Sequence, residues 1–181
     1  FCGSNHGARS AYTDAAQQMG KALVSQGMGL VYGGGSIGLM TVVADAVLKE
    51  KGEVIGVIPR ALSSKEFAHY GLTELHLVSS MHGRKAMMAE LSDAFIAMPG
   101  GFGTLDEFFE IITWAQLGLH TKPIGLLNVG GYFDLLLKFI DYMLQERFIS
   151  TEHRQLIITS HDPEELLLAL IRYKPSQQIP K

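Results

Sequence analysis

Residues 93–116 read DAFIAMPGGFGTLDEFFEIITWAQ: an apolar run, a proline with three glycines, then a strongly patterned helix. One glycine, or two, is enough for a turn. Three at a strand-to-helix joint predict a backbone shaped for close approach by an anion, because bare N–H groups and the helix dipole both favour negative charge there. The same strand–loop–helix unit recurs along the chain. MGLVYG (28–33), EVIGVI (53–58), ELHLV (74–78), DAFIAM (93–98), PIGLLN (123–128) and QLIITS (155–160) read as strands. Most are apolar throughout rather than alternating, as in parallel sheets covered on both faces. Helical patterns fill 10–26, 37–50, 81–91, 104–118, 133–146 and 163–172. Glycines in SQG (25–27) and EKG (50–52) are expected to supply left-handed helix ends.

Strand and helix alternating in this way predict an α/β fold: a single doubly wound, Rossmann-like parallel sheet with helices on both faces. The domain is expected over residues 1–173, with a polar, proline-broken tail at 174–181. FCGSN (1–5) reads as the tail of a strand begun upstream. Ligands of such sheets bind beyond the carboxyl ends of the strands. CGSN (2–5), GGGSIG (33–38) and PGGFGT (99–104) should therefore meet on one rim.

Composition narrows the function. The 181 residues are 47% hydrophobic and 18% charged, with a net charge of −3, which suits one compact domain. No basic stripe supports nucleic-acid binding. The single cysteine, Cys2, excludes an internal disulfide, no Cys/His spacing suggests zinc, and a reduced cytoplasmic setting is expected. No stretch reads as a signal peptide or as an apolar span of about 18 residues, so no membrane partner is expected. No cofactor is expected.

GGGSIG matches G-x-G-x-x-G, with Glu53 some 20 residues on as a dinucleotide fingerprint asks. The match fails on position, because Glu53 begins the next strand instead of ending it. A nucleotide-contacting or packing loop is the better reading, which makes Gly34 and Gly35 candidate contacts. In the second loop, Thr104 and Glu107 have capping-box spacing. Cleaving an N-glycosidic bond creates an oxocarbenium-like sugar, and a carboxylate beside a phosphate site suits that developing cation. Glu107 is the preferred carboxylate; Asp106 either shares that role or favours the helix start.

SSMHGRKAMMAEL (79–91) opens another helix, with Ser79 or Ser80 as the cap. His82, Arg84 and Lys85 gather in its first turn, where the dipole disfavours positive charge, so an anionic partner is expected nearby. Arg84 keeps its proton and acts electrostatically; His82 is a minor candidate for protonating a leaving base.

The pair MHGRK (81–85) and PGGFGTLDE (99–107) resembles the LONELY GUY (LOG) family of cytokinin-activating phosphoribohydrolases, often labelled lysine decarboxylase-like. VYGGGSIGLM (31–40), VIGVIPRAL (54–62), SDAFIAMPGG (92–101) and TWAQLGLH (113–120) extend the likeness over nearly the whole chain. The resemblance implies hydrolysis of a cytokinin riboside 5′-monophosphate, or AMP, to free base and ribose 5-phosphate. It implies that Arg84 and Glu107 are the catalytic pair. Lys85, Gly101, Phe102, Gly103, Thr104 and Thr113 match substrate-binding positions, and Glu66 matches a further contact. Gly100, Leu105 and Asp106, flanking the second loop, complete the candidate set. Gly83 stands where the family more often has a longer polar residue. The decarboxylase label implies a Schiff-base lysine and a partner for a pyridine nitrogen, and the sequence supplies neither.

A non-catalytic nucleotide-sensing module is the alternative reading. Residues 105–119 are apolar around most of the helix, which predicts a second face buried against another subunit. Met87 and Met88 are candidates for that surface. The resemblance likewise implies a homodimer with sites near the interface.

Overall fold

The computed structural model describes residues 1–63 and 68–174; Glu66, and residues 175–181 of the expected tail, lie outside the described residues. Six parallel strands appear where the apolar runs place them: β1 (Leu30–Tyr32), β2 (Val54–Pro59), β3 (Glu74–Val78), β4 (Phe95–Ala97), β5 (Ile124–Leu127) and β6 (Ile157–Ser160). They pair as two three-stranded sheets, β1–β2–β3 and β4–β5–β6. In register, Leu30 faces Val54, Val57 faces His76, and Gly125 lies between Ile96 and Ile158. Residues 1–3 run beside β4. Phe1 N donates to Ile96 O (2.8 Å), Met98 N to Phe1 O (2.8 Å) and Gly3 N to Pro99 O (3.0 Å).

The helices are α1 (Ser10–Ser25), α2 (Gly38–Lys49), α3 (Arg60–Ser63), α4 (Met81–Leu91), α5 (Phe102–Gln116), α6 (Asp134–Gln145), α7 (Thr151–Arg154) and α8 (Pro163–Ile171). Local chemistry sets their starts. Ser80 accepts from Gly83 N ahead of α4, and Asp162 accepts from Glu165 N ahead of α8, whose first residue is Pro163. Gly27 ends α1 in the left-handed region (φ +69°), as expected. After α2 that role falls to Lys51 (φ +61°), not to Gly52. Gly52 is bare for packing: a Cβ there would lie 2.5 Å from Val24 and 2.7 Å from Val47.

Two cores sandwich the strands. One joins α1, α2 and α8 to Tyr32, Val54, Met98 and Leu127; the other joins α5 and α6 to Phe95, Ala97, Ile124 and Leu126. Neighbours on one strand go to opposite cores, as with Leu126 and Leu127. Strands buried on both faces, such as β5, are therefore apolar throughout, whereas β3 carries Glu74 and His76. α5 buries Phe108, Ile111 and Ala115 and half-buries Phe109, Ile112 and Trp114; just past its end Leu117 and Leu119 are exposed.

The three glycine-rich strand ends meet, as the topology requires. Gly3 O accepts from Leu39 N at the start of α2, while Gly3 N reaches Pro99 O. A Cβ on Gly38 (φ +57°) would run into Ser4.

Candidate active site

α4 delivers a buried cation to this rim. Arg84 is 7% exposed; its Nε donates to Val57 O (3.0 Å) and its Nη2 to Gly33 O (2.7 Å). Among the described residues, Nη1 has only the thioether of Met81, at 3.9 Å. Among the described residues no carboxylate lies within ion-pair distance of Arg84, and the partners they offer its charge are carbonyl dipoles. Burying a cation without an anion is costly, and an arriving phosphate or developing anion would relieve that cost. Gly33 is what admits the guanidinium: a Cβ there would overlap Nη2 and lie 2.8 Å from Cζ.

α5 supplies the anion cradle. Its N-cap is Gly101, and no side chain caps its first turn. The expected capping box of Thr104 and Glu107 is therefore absent. The helix starts two residues earlier than its pattern suggests, placing Thr104 inside it, and Glu107 is free of a capping duty. The glycines divide by purpose. A Cβ on Gly100 would meet the Thr104 side chain, so the fold itself needs that glycine. Gly101 and Gly103 have no protein atom within 4 Å of a Cβ and no left-handed φ, so nothing in the fold demands them. They leave bare backbone facing open space at a helix N-terminus, where an anion is favoured.

Glu107 sits one turn further in, half-buried. Burial pushes its carboxyl pKa up; Arg84 and Lys85 pull it down, while Asp106 adds to the rise. Arg84, Gly101 to Thr104, Asp106 and Glu107 line one cavity of about 830 Å³, with Cys2, Ser4 and Gly33 beside them. The same cavity runs on past Leu30, Ile96 and Leu170, and also past Glu53, Ser92 and Asp93. Burial pushes the Cys2 thiol up to about 11, which keeps it protonated at neutral pH.

The other expected contacts are placed differently. Lys85, whose side chain is 13% exposed, pairs with Asp106 (3.1 Å) and Glu110 (3.0 Å). The anions that offset this cation at the wrong end of α4 are thus residues of α5. Burial lowers its pKa, but hydrogen bonds from the ammonium to the two carboxylates outweigh that and hold the pKa raised. Leu105 packs against the α5–α6 core. Thr113 is exposed, with its hydroxyl returned to Phe109 O (2.7 Å). Gly34 and Gly35 adjoin the cavity-lining Gly33 without lining the cavity themselves, and His82 is exposed outside it. Among the described residues no cluster of His, Cys, Asp or Glu is arranged to hold a metal ion.

Two contributors escape sequence reasoning. The Gly33 carbonyl is one, hidden in a loop read as a nucleotide-contacting or packing loop. Tyr132 is the other: its hydroxyl donates to Gly100 O (2.6 Å), and its ring packs edge-on against Tyr12 and Phe133. Only the double glycine before Tyr132, with both φ angles positive, marks a sharp turn there.

Known proteins resemble this chain in sequence and fold. The profile of a family described as "Possible lysine decarboxylase" matches residues 40–170. The cytokinin riboside 5′-monophosphate phosphoribohydrolase LOG4 of Arabidopsis thaliana is 53% identical over 178 residues, covering 98% of this chain and 83% of LOG4. The enzyme of the same description named LOG, from Oryza sativa subsp. japonica, is 51% identical over 179 residues, 99% of this chain and 74% of that one. Among solved structures, the Moco carrier protein of Chlamydomonas reinhardtii superposes with a TM-score of 0.70 at 19% identity, covering 95% of this chain and 92% of that one. The molybdenum cofactor binding protein of Rippkaea orientalis gives 0.65 at 24% identity, covering 94% of each. At those identities the likeness carries the Rossmann-like fold alone. The profile spans most of the chain, and relatives more than half identical align along nearly all of it: the chain belongs to the LONELY GUY (LOG) family.

Proposed function

We propose that this protein hydrolyses the N-glycosidic bond of cytokinin riboside 5′-monophosphates, and of AMP by the same route, giving free base and ribose 5-phosphate. One observation carries the reading: an uncapped, glycine-bare helix start, a half-buried carboxylate of raised pKa and a buried arginine with no carboxylate partner among the described residues share one cavity. The 5′-phosphate takes the N-terminus of α5. The C1′–N9 bond then breaks with its electron pair leaving on the base, and Glu107 stabilises the cationic C1′. Water oxygen bonds to C1′ and gives one proton to Glu107; that same proton passes on through solvent water to the base nitrogen, so the base leaves neutral and Glu107 returns to its carboxylate. Arg84 steadies the negative charge that develops on the base.

The names of the relatives support this reading. Lys85 argues against amino-acid decarboxylation through a Schiff base. That chemistry needs a neutral amine, and two carboxylates hold this one protonated. Thr113, exposed beyond its own cavity, fits a contact made across a homodimer interface. The same end of α5 exposes Leu117 and Leu119, each 68% accessible, in line with a two-fold partner. Light scattering after gel filtration tests the dimer, and a monomeric mass refutes it. A cytoplasmic setting goes with the reading, because a free thiol, Cys2, lines the site.

The decisive experiment incubates the protein with isopentenyladenosine monophosphate or AMP and follows free base by chromatography. Base release that is lost in Glu107→Gln and Arg84→Ala, with both variants folded, is expected. Nucleotide binding without base release refutes the enzyme and leaves a sensing module.

A further inference from the structure

The loop that holds Arg84 is soft by composition and is braced from outside. Gly33, Gly34 and Gly35 follow β1, and residue 38 begins α2. Gly33 O accepts the Arg84 Nη2 bond, and Gly34 takes a left-handed φ of +71°. A run of glycines has little conformational preference of its own. The brace is the segment Ala68–Gly71. Ala68 forms an antiparallel bridge with Gly35, and His69 N donates to Gly34 O at 3.0 Å.

The His69 ring completes the brace. Gly71 N donates to Nδ1 (3.3 Å), which places the ring proton on Nε2, and Nε2 lies 2.9 Å from Asp45 Oδ1. Asp45 is on α2, the helix that follows the glycine loop. One residue therefore grips both sides of the joint, its main chain on the loop and its ring on the helix. The side chain of His69 is 15% exposed and that of Asp45 59%. Neither residue lines the cavity that holds Arg84 and Glu107.

We propose that His69, anchored by Asp45, is a positioning residue for Arg84: it fixes the Gly33–Gly35 loop so that the Gly33 carbonyl keeps the guanidinium in place. The proposal rests on the catalytic role given to Arg84 above. It makes the His69–Asp45 pair matter to turnover rather than to substrate capture, since the cradle for the phosphate lies on α5.

The test compares the full chain with His69→Ala, His69→Gln, Asp45→Ala and the His69→Ala/Asp45→Ala double variant. Each is assayed with AMP and isopentenyladenosine monophosphate. One neutral-to-charged hydrogen bond, largely solvated, corresponds to a kcat loss of about three- to tenfold. That loss is expected in His69→Ala and Asp45→Ala with KM unchanged within about twofold. The double variant should lose no more than either single one. His69→Gln, whose amide nitrogen can donate to Asp45, should recover most of the rate. Hydrogen exchange of the Arg84 Nε–H, followed by nitrogen-15 NMR, reads the guanidinium without turnover. It should quicken in His69→Ala and return toward wild type in His69→Gln. Unchanged exchange in His69→Ala overturns the proposal, as do additive losses in the double variant or a loss confined to KM. If no variant, wild type included, releases base while the exchange responds as stated, the functional reading fails and the brace on Arg84 stands.

Discussion

Gly33→Ala isolates the role of Arg84 without touching a charge. Gly33 is not in the left-handed region, so its backbone accepts alanine, and the obstruction comes from one side chain. The new Cβ would overlap Arg84 Nη2 and stand 2.8 Å from Cζ and 3.3 Å from Nε. The guanidinium is planar and is held at two points, Gly33 O and Val57 O, so it cannot slide away while keeping both. Loss of the Gly33 bond removes a charge-assisted hydrogen bond of about 1.5–3 kcal/mol. For a domain of this size that lowers Tm by about 3–12 °C. Moving a transition-state charge out of position costs roughly 100- to 1,000-fold in rate, or about 2.7–4 kcal/mol. The assay pairs thermal unfolding with base release from AMP, each in wild-type and Arg84→Ala backgrounds. In the Arg84→Ala background the clash is gone, so Gly33→Ala should cost almost no further stability, a strong departure from additivity. Gly33→Ala with wild-type kcat/KM, or with an equal Tm loss in both backgrounds, refutes the reasoning.

Gly101→Ala should do the opposite: with no protein atom within 4 Å of the new Cβ, Tm stays at the wild-type value while KM for the nucleotide rises about tenfold, as differential scanning fluorimetry and initial rates will show. Glu107→Gln should abolish base release yet stabilise the fold near pH 7. A carboxyl whose folded pKa is raised contributes stability at low pH that is lost as pH rises through the folded value, and glutamine escapes that loss. The Tm gap between Glu107→Gln and wild type should therefore close below the ordinary carboxylate range, and a gap independent of pH contradicts the burial argument. Lys122 donates to Ala89 O (2.8 Å) and Glu90 O (3.5 Å), at the end of α4, so Lys122→Met should lower stability by about 1 kcal/mol in urea unfolding. Nucleosides lacking the 5′-phosphate should show kcat/KM at least about 100-fold below their monophosphates, and equal values would remove the phosphate from the α5 cradle.

The strands and the glycine rim were legible because a parallel strand covered on both faces is apolar at each position. Leu126 and Leu127, pointing into different cores, left an unmistakable run. Helix ends were less legible where glycine and exposed aromatics blur the pattern. Phe102, 93% exposed at the loop tip, and Gly103 look like loop in sequence but are the first turn of α5. Reading Thr104 as a cap followed from that misplaced start. The burial of Arg84 was invisible for a different reason. Its acceptors are backbone carbonyls 27 and 51 residues away, and a carbonyl has no sequence signature. Lys85 posed the converse problem. Its position predicted an anionic partner, but only the packing of α4 beside α5 shows that Asp106 and Glu110 supply it.

That division of partners gives the site its chemical logic. Arg84 and Glu107 carry opposite charges in one cavity, and pairing would neutralise both. Instead Lys85 engages Asp106 and Glu110, Arg84 is held on carbonyls, and no ion pair among the described residues joins Arg84 to Glu107. Burial holds the pKa of Glu107 raised although Arg84 and Lys85 pull it down, so among the described residues neither charge is fully compensated. A substrate that becomes cationic at C1′ while its base becomes anionic offers each of them its missing partner at the moment of bond cleavage. Interactions that strengthen only then lower the barrier rather than merely tightening binding. Redirecting the local pairing should therefore damage catalysis more than affinity. In Lys85→Ala, Asp106 and Glu110 lose their cation, the potential at Glu107 becomes more negative, and its pKa rises further. The acid limb of the kcat/KM profile should move to higher pH while the alkaline limb stays in place. An acid limb that does not move would mean that Glu107 does not sense Lys85, and that this account of the pairing is wrong.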